Sequence, residues 1–321
     1  MKEKILKYLK EEGEQKPFKI AEELNISRQM THKYLKSLIT EGKILKSGTP
    51  PSVYYAIKPA QQVSQIKLTK KESEFLNQNF IEVTPSGELL EGPEAFIYWC
   101  QKRQLPLKKT LIEYQQTVQK YQQYKQNNVI SGLKKLQSTK GFTQICLEDV
   151  FYLDFYAIER FGKTKLGKLI HYGKQSQNIE LLHTIVQSTK EAVKQLLGYL
   201  NIQAIAYNPP TIKRDIQIMK VLEKGYAFKL PLIKLEKVTG NIIVPQKALS
   251  KIEDRIENSQ RSIMVDENRA FENILLIDDA VGSGATLNET ACKLLHKKTA
   301  QKVYGLAITG SFKGFEVITE A

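Results

Sequence analysis

The stretch from Asn273 to Leu287, NILLIDDAVGSGATL, constrains the fold more than any other part of the chain. Ile274 to Ile277 form the continuous apolar run of a central parallel strand buried on both faces, and Asp278 and Asp279 stand where that strand would emerge. A loop of small residues follows, Gly282, Ser283, Gly284 and Ala285, which lets the backbone approach a ligand closely. Thr286 then starts an apolar-periodic helix (Leu287, Ala291, Leu294, Leu295) whose first N–H groups have no intrahelical acceptor. The result is an anion cradle with two carboxylates beside it.

A sugar phosphate suits such a cradle. Loop amides and the helix N-terminus take the phosphate, and the hydroxyls of Ser283 and Thr286 add donors. The carboxylates take ribose hydroxyls or, through water, a divalent cation. The G-x-x-x-x-G-K-[ST] pattern of a P-loop is absent, and Leu287 stands where a dinucleotide fingerprint beginning at Gly282 needs its third glycine. The plain alternative is a tight strand-to-helix turn with no ligand, since acids often follow hydrophobic strands in α/β proteins.

The run from Ile274 to Thr286 resembles the PRPP-binding signature of type I phosphoribosyltransferases: apolar residues, two acids, then a loop closing in [ST]-G-x-T, here Ser283 to Thr286. The resemblance implies that Asp278 and Asp279 hold the ribose hydroxyls and that Ala280, Val281, Gly282, Ser283, Gly284, Ala285 and Thr286 wrap the 5′-phosphate. It also implies Mg²⁺ with the PRPP, reached by Asp278 and Asp279 only through ligand or water. It is specific for binding and names no catalytic residue.

At 321 residues the chain has room for two domains, or for one domain and an appendage, and 41% apolar with 26% charged residues is a globular composition. It has no stretch of 18 apolar residues, and MKEKILKYLKEEGE alternates charge with apolar residues, unlike a signal peptide, so a cytoplasmic protein without membrane partners is expected. Cys100, Cys146 and Cys292 are far apart and odd in number, and with His32, His171, His183 and His296 they show no metal-ligand spacing; no disulfide framework is expected. The net charge of +14 favours a polyanionic partner, nucleic acid foremost.

Residues 1–58 hold three helical patterns and a hairpin. Ile5, Leu6 and Leu9 line one face of the first, Ile20, Ala21 and Leu24 line the second, and Asn25-Ile26 makes the turn. Ser27 caps a third helix with an apolar side of Met30, Tyr34, Leu35 and Leu38. Opposite it stand Arg28, Gln29, Thr31, His32, Lys33 and Lys36, donors for bases and phosphates, with no acid from Ser27 to Thr40. Lys43 to Ser47 and Val53 to Ile57 read as strands around Gly48-Thr-Pro-Pro51. The order resembles a winged helix-turn-helix domain. That likeness implies that the helix from Ser27 enters the major groove of double-stranded DNA and that the hairpin tip, Lys46 to Pro51, touches backbone or minor groove. Winged helices that serve as protein-interaction modules are the alternative.

From 59 to 150 the sequence reads as a linker, Pro59 to about Leu76, followed by a helical middle. A short strand from Phe80 to Thr84, a turn at Pro85-Ser86-Gly87 and a helix begun by Pro93 are expected. Leu107, Leu111, Tyr114, Val118 and Tyr121 lay one apolar stripe along a helix, which is either core or a homodimer seam. Tyrosines stacking on single-stranded bases are a further reading, because residues 101–137 carry eight basic side chains and one acid.

From 151 to 321 helices and strands alternate as in a parallel α/β sheet. Tyr156, Gly162, Leu169, Ile170 and Tyr172 resemble the region before the core in ComF-type phosphoribosyltransferase-like proteins. The segment Asn208-Pro209-Pro210-Thr211-Ile212-Lys213-Arg214 and the run Pro245 to Asn258, with Gln246, Leu249, Arg255 and Asn258, resemble ComF-type segments as well. By that likeness Lys213, Arg214 and Arg255 are candidates for binding pyrophosphate, and 245–258 is a mobile loop.

The expected fold is therefore α/β: an N-terminal winged helix-turn-helix, a helical middle segment and a phosphoribosyltransferase-like parallel sheet flanked by helices. The whole resembles purine operon repressors in architecture, which implies a DNA-binding regulator with PRPP or a nucleoside monophosphate as effector. The alternatives are an active phosphoribosyltransferase and a nucleic-acid-processing or defence module.

Overall fold

The computed structural model describes residues 1–47, 53–58, 68–210, 212–238, 244 and 246–311. The turn expected at 48–51, residues 59–67 of the 59–76 linker, Thr211 and Pro245 lie outside the described residues. Contacts divide the chain into two compact units, Met1–Thr69 with Val83–Leu89, and Lys70–Glu82 with Leu90–Ala321.

The first unit contains α1 (Lys2–Glu12), α2 (Pro17–Glu23), α3 (Arg28–Thr40), β1 (Ile44–Ser47) and β2 (Tyr54–Ile57), the strands pairing antiparallel. Asn25 takes a left-handed φ of 48° in the turn, and the Met30 N–H donates to Ser27 Oγ at 3.3 Å to cap α3. Ile5, Leu9, Ile20, Leu35, Leu38, Ile44 and Tyr55 form the core.

Along the chain there follow α4 (Lys70–Asn79), β3 (Ile81–Val83), β4 (Leu89–Glu91), α5 (Gly92–Lys102), α6 (Leu107–Gln122), β5 (Ile130–Ser131), α7 (Leu133–Ser138) and β6 (Asp149–Phe155). After the short strands β7 (Ala157–Ile158) and β8 (Gly162–Lys163) come α8 (Lys165–Ser176), α9 (Ile179–Tyr199), β9 (Ala204–Tyr207), α10 (Ile218–Tyr226) and β10 (Leu232–Lys237). The last elements are α11 (Ile252–Ser262), β11 (Ile263–Asp266), β12 (Phe271–Val281), α12 (Ala285–His296) and β13 (Ala300–Gly310).

Among the described residues, seven strands make one sheet in the order β11-β10-β9-β12-β13-β6-β5. The five inner strands are parallel, and β11 and β5 are antiparallel edges. The expected parallel α/β class is what the structure shows, with β6, which spans the boundary at 151, and β5 from before it added beyond β13. Ile274 to Ile277 are fully buried, with Leu275 and Ile277 packed with Leu306 and Ile308 among residues of α8, α9 and α10. Strand β12 runs on through the acids to Val281, where it still pairs with Gly310. Asp278 and Asp279 are thus inside the strand, not beyond it.

The stripe on α6 is core. Leu107, Leu111, Tyr114 and Val118 are buried, Tyr114 lies 4.9–5.6 Å from the rings of Phe75, Phe80, Phe96 and Phe161, and its hydroxyl donates to the Asn79 carbonyl at 2.9 Å. Intrachain burial removes this stripe as a dimer seam, and it takes Tyr114 away from stacking on bases.

A second correction concerns cysteine. Cys146 and Cys292 form a disulfide across 146 residues of sequence, their Cα atoms 5.1 Å apart, whereas Cys100 is free and buried. Sequence spacing carried no trace of it, because the sheet brings the segment before β6 beside α12. Asn288 ties the same contact: its Nδ2 donates to the Gln144 carbonyl and its Oδ1 accepts from the Cys146 N–H, both at 2.8 Å.

Closing so long a loop restricts the unfolded chain by up to about 5 kcal/mol. The Cys146→Ser/Cys292→Ser variant is therefore expected to lose about 2 kcal/mol or more of stability in urea titrations of the oxidised protein. A reductant should lower the wild-type midpoint and leave that of the variant where it is.

Candidate functional site

The order of strands reverses at β9. The connection onward leads to β10 on one side, and the chain later returns to β12 on the other, so a crevice opens outside the carboxyl ends of β9 and β12. Asn208, the residue after β9, and the Asp278–Asp279 pair of β12 stand at that crevice. Successive side chains of a strand point to opposite faces, and the two acids accordingly have different partners.

Asp278 accepts a hydrogen bond from Asn208 Nδ2 at 2.9 Å on Oδ2, and one from the Asp279 N–H at 2.8 Å on Oδ1. Burial, and after it the charge of Asp279, pushes its carboxyl up to about 7, even though both hydrogen bonds favour the charged form. Asn208 is itself buried, and its Oδ1 has no partner among the described residues. Asp279 forms an ion pair with Lys174 of α8. Burial acts to lower the Lys174 ammonium, but Asp279 beside it and Asp278 near it hold it above the ordinary lysine value. Burial lowers the ammonium of Lys237 at the end of β10, with the charge of Asp278 acting against it, and its Nζ donates to Ser262 Oγ at 2.6 Å. Tyr156 donates to or accepts from His171 Nδ1 at 3.2 Å, and burial, then Tyr172 and Asp279, push its phenol up to about 12.

The loop closes as the small residues require. Gly284 takes φ 79° at the N-cap of α12, where a side chain would be strained, and a Cβ there would meet Leu136 Cδ1 of α7 at 2.7 Å and have to push the end of that side chain aside. The Ala285 N–H donates to Ser283 Oγ at 3.3 Å, leaving the N–H groups of Thr286 and Leu287 in the first turn without intrahelical acceptors. Ala280 and Val281 belong to the strand and Ala285 and Thr286 to α12, so Gly282 to Gly284 are the part of the expected cradle that turns.

The expected pyrophosphate residues are not gathered alike. Arg214 donates to the Lys174 carbonyl and so braces the lysine that pairs with Asp279. Lys213 is exposed. Arg255 Nε donates to the Leu249 carbonyl at 2.7 Å, and Gln246 Nε2 donates to the Arg255 carbonyl at 3.0 Å and to Asn258 Oδ1 at 3.3 Å. The residues that carry the ComF-type resemblance in this run thus bond to one another and shape the segment before β11.

The two acids do not by themselves make a direct Mg²⁺ site. Among the described residues no group of three or more His, Cys, Asp and Glu side chains could hold a metal ion, and one of the two acids already pairs with an ammonium. Asp278 and Asp279 could reach a cation carried by a diphosphate through water, where it would neutralise phosphate charge.

On α3 the exposed face holds Ser27, Arg28, Gln29, His32, Lys33 and Lys36, and Lys46 of β1 is exposed too. Thr31 is not part of it. It is fully buried, with Oγ1 donating to the Ser27 carbonyl at 3.0 Å, while Met30, assigned to the apolar side, is 38% exposed. Thr31, Leu35 and Leu38 fall at i, i+4 and i+7, the spacing that faces a core.

Residues 1–44 match the model of a family described as winged helix-turn-helix DNA-binding. A comparison with curated proteins gives no match. Among solved structures, a hypoxanthine phosphoribosyltransferase from Staphylococcus aureus aligns at 15% identity and a TM-score of 0.26, over 45% of this chain and 71% of that one. So loose a superposition has no bearing on the site. The N-terminal unit is a winged helix-turn-helix, and no helix among the described residues is long and apolar enough to cross a membrane.

Because the folded Asp278 binds its proton more tightly than an unfolded aspartate at about 3.9, its contribution to stability is full below that value and is lost as pH rises towards 7. Unfolding free energy should therefore fall across that window, by at most about 1.4 kcal/mol per pH unit. Denaturant titrations of the wild type and Asp278→Asn between pH 4 and 7 check this, the variant being expected to lack that component of the slope. Asn208→Ala should push the carboxyl higher still, as read by ¹³C NMR.

Proposed function

We propose that the chain is a DNA-binding regulator whose sheet unit binds PRPP, or a nucleoside monophosphate, as effector with Mg²⁺. The observation that carries the reading is the placement of the Gly282–Thr286 segment at the switch point of the sheet, beside two acids with separate partners. A ribose phosphate matches that arrangement. Its phosphate finds the N–H groups of the first turn of α12, and its hydroxyls find Asp278 and the unpartnered Oδ1 of Asn208. The exposed donors of α3 suit the major groove, and the lack of acid from Ser27 to Thr40 suits phosphates.

The effector acts by favouring one arrangement of the winged units over another, most simply in a homodimer on a two-fold operator. Equal affinity for both arrangements would leave DNA binding unchanged. Transfer of the ribose phosphate to an acceptor is the other activity the same pocket could support, since this chemistry rests mainly on positioning and electrostatics.

Selection of DNA sites from a random pool, followed by fluorescence anisotropy with and without saturating Mg²⁺·PRPP, tests the proposal. The apparent Kd is expected to change about fivefold or more, and Asp278→Asn/Asp279→Asn should abolish the change. An unchanged Kd sinks the effector reading, and pyrophosphate release from PRPP would instead assign turnover. Arg28→Ala/Lys33→Ala should weaken binding at least about tenfold and flatten its dependence on salt.

A further inference from the structure

Helix α7 lies outside the parallel core and across the loop that opens α12. Leu136 is the residue a Gly284 side chain would strike, and Gly132, Lys135 and Leu136 line one side of a narrow gap whose other side is Val281 to Gly284. Val150 and Tyr152 of β6 and Ser311 complete the lining. At about 20 Å³ the gap has room for a single water molecule.

Lys135 is half-buried in that lining, and its Nζ donates to the Ser311 carbonyl at 2.7 Å. Among the described residues it has no carboxylate in salt-bridge range, whereas Lys120 and Lys125, earlier in the sequence, do. Burial alone depresses its ammonium to about 8. The titratable group across the gap is the Tyr152 phenol, which burial pushes up to about 12, so it is neutral and offers no compensation. A cation brought this far out of water with no anion beside it among the described residues, against a loop whose helix N-terminus favours negative charge, is suited to an anionic ligand.

We infer that Lys135 is the cation that contacts the phosphate of a sugar phosphate held by the Gly282–Thr286 loop, and that α7 is the movable wall of that subsite. The inference rests on the reading of the loop given above. It adds a binding residue from a segment that precedes the sheet core, and it requires α7 to draw back, because the gap is too small for a phosphate with the wall closed. The segment that follows α7 leads to Cys146, where the disulfide and Asn288 fasten it to α12, so the wall and the helix it covers are joined at the far side.

The test is calorimetric titration of ribose 5-phosphate, without metal, at pH 8 in two buffers of different ionisation enthalpy. Phosphate contact should restore the proton that Lys135 partly lacks at that pH, so the wild type is expected to take up roughly half a proton on binding. Lys135→Ala should weaken binding about tenfold or more and abolish the uptake, while Lys135→Arg should keep most of the affinity and also lose the uptake. Unchanged affinity and uptake in Lys135→Ala, with binding lost in Ser283→Arg, would overturn the role of Lys135 and leave the loop reading standing. No binding by the wild type would overturn both. Melting curves of each variant separate loss of contact from loss of fold.

Discussion

A carboxylate pair carried on a buried strand is the constraint around which the sheet unit is arranged. From Ile274 to Ile277 strand β12 is apolar on both faces, and the next two residues are acids, the first of which burial penalises. Each acid needs its own compensation, because alternation sends them to opposite faces. Asn208 supplies a donor from the adjoining strand end, and Lys174 supplies a charge from α8, itself held in place by Arg214. Asn208 and Asp278 both retain unmet demands among the described residues, one an orphan oxygen and the other a raised carboxyl, and these are the groups the proposed ligand would meet.

The helical segment before the sheet serves that pocket from outside. The aromatic cluster about Tyr114 fixes α4, α5 and α6 as a packed body, so Lys168 can be held buried against Glu82 and the Ile81 carbonyl. That pair ties α8, the helix of Lys174, to the preceding segment. Partnered burial of an ammonium contrasts with Lys135, whose burial has no counter-charge among the described residues.

Much of this was legible in the sequence, and the exceptions have physical causes. Four apolar residues ending in two acids marked the central strand and its loop, and the helical spacings with an Asn turn and a Ser cap marked the winged unit. Thr31 was misplaced because residue type was weighed above spacing: a threonine that satisfies its hydroxyl on the preceding turn can fill a core position, and its neighbour Met30 is then turned out. The partners of the acids were hidden for another reason. Lys174 of α8 and Asn208 after β9 come from elements remote in sequence from β12, and nothing local distinguishes a lysine that will face a carboxylate from one that faces water. The Cys146–Cys292 bridge was likewise invisible, being a consequence of strand order and not of spacing.

Strand order also governs the timing of assembly. β6 takes its parallel partner from β13, with Asp149 to Phe155 laid against Tyr304 to Gly310. Half the chain therefore separates the two, and β6, with β5 beyond it, cannot be paired on that side until β13 has been synthesised. Until then a run rich in aromatic and β-branched residues, Val150 to Phe155, presents an open edge, so this unit should depend on slow, late closure and on protection of that edge in the meantime. The winged unit, whose contacts are local, is free of that delay and can be complete while the sheet is still waiting.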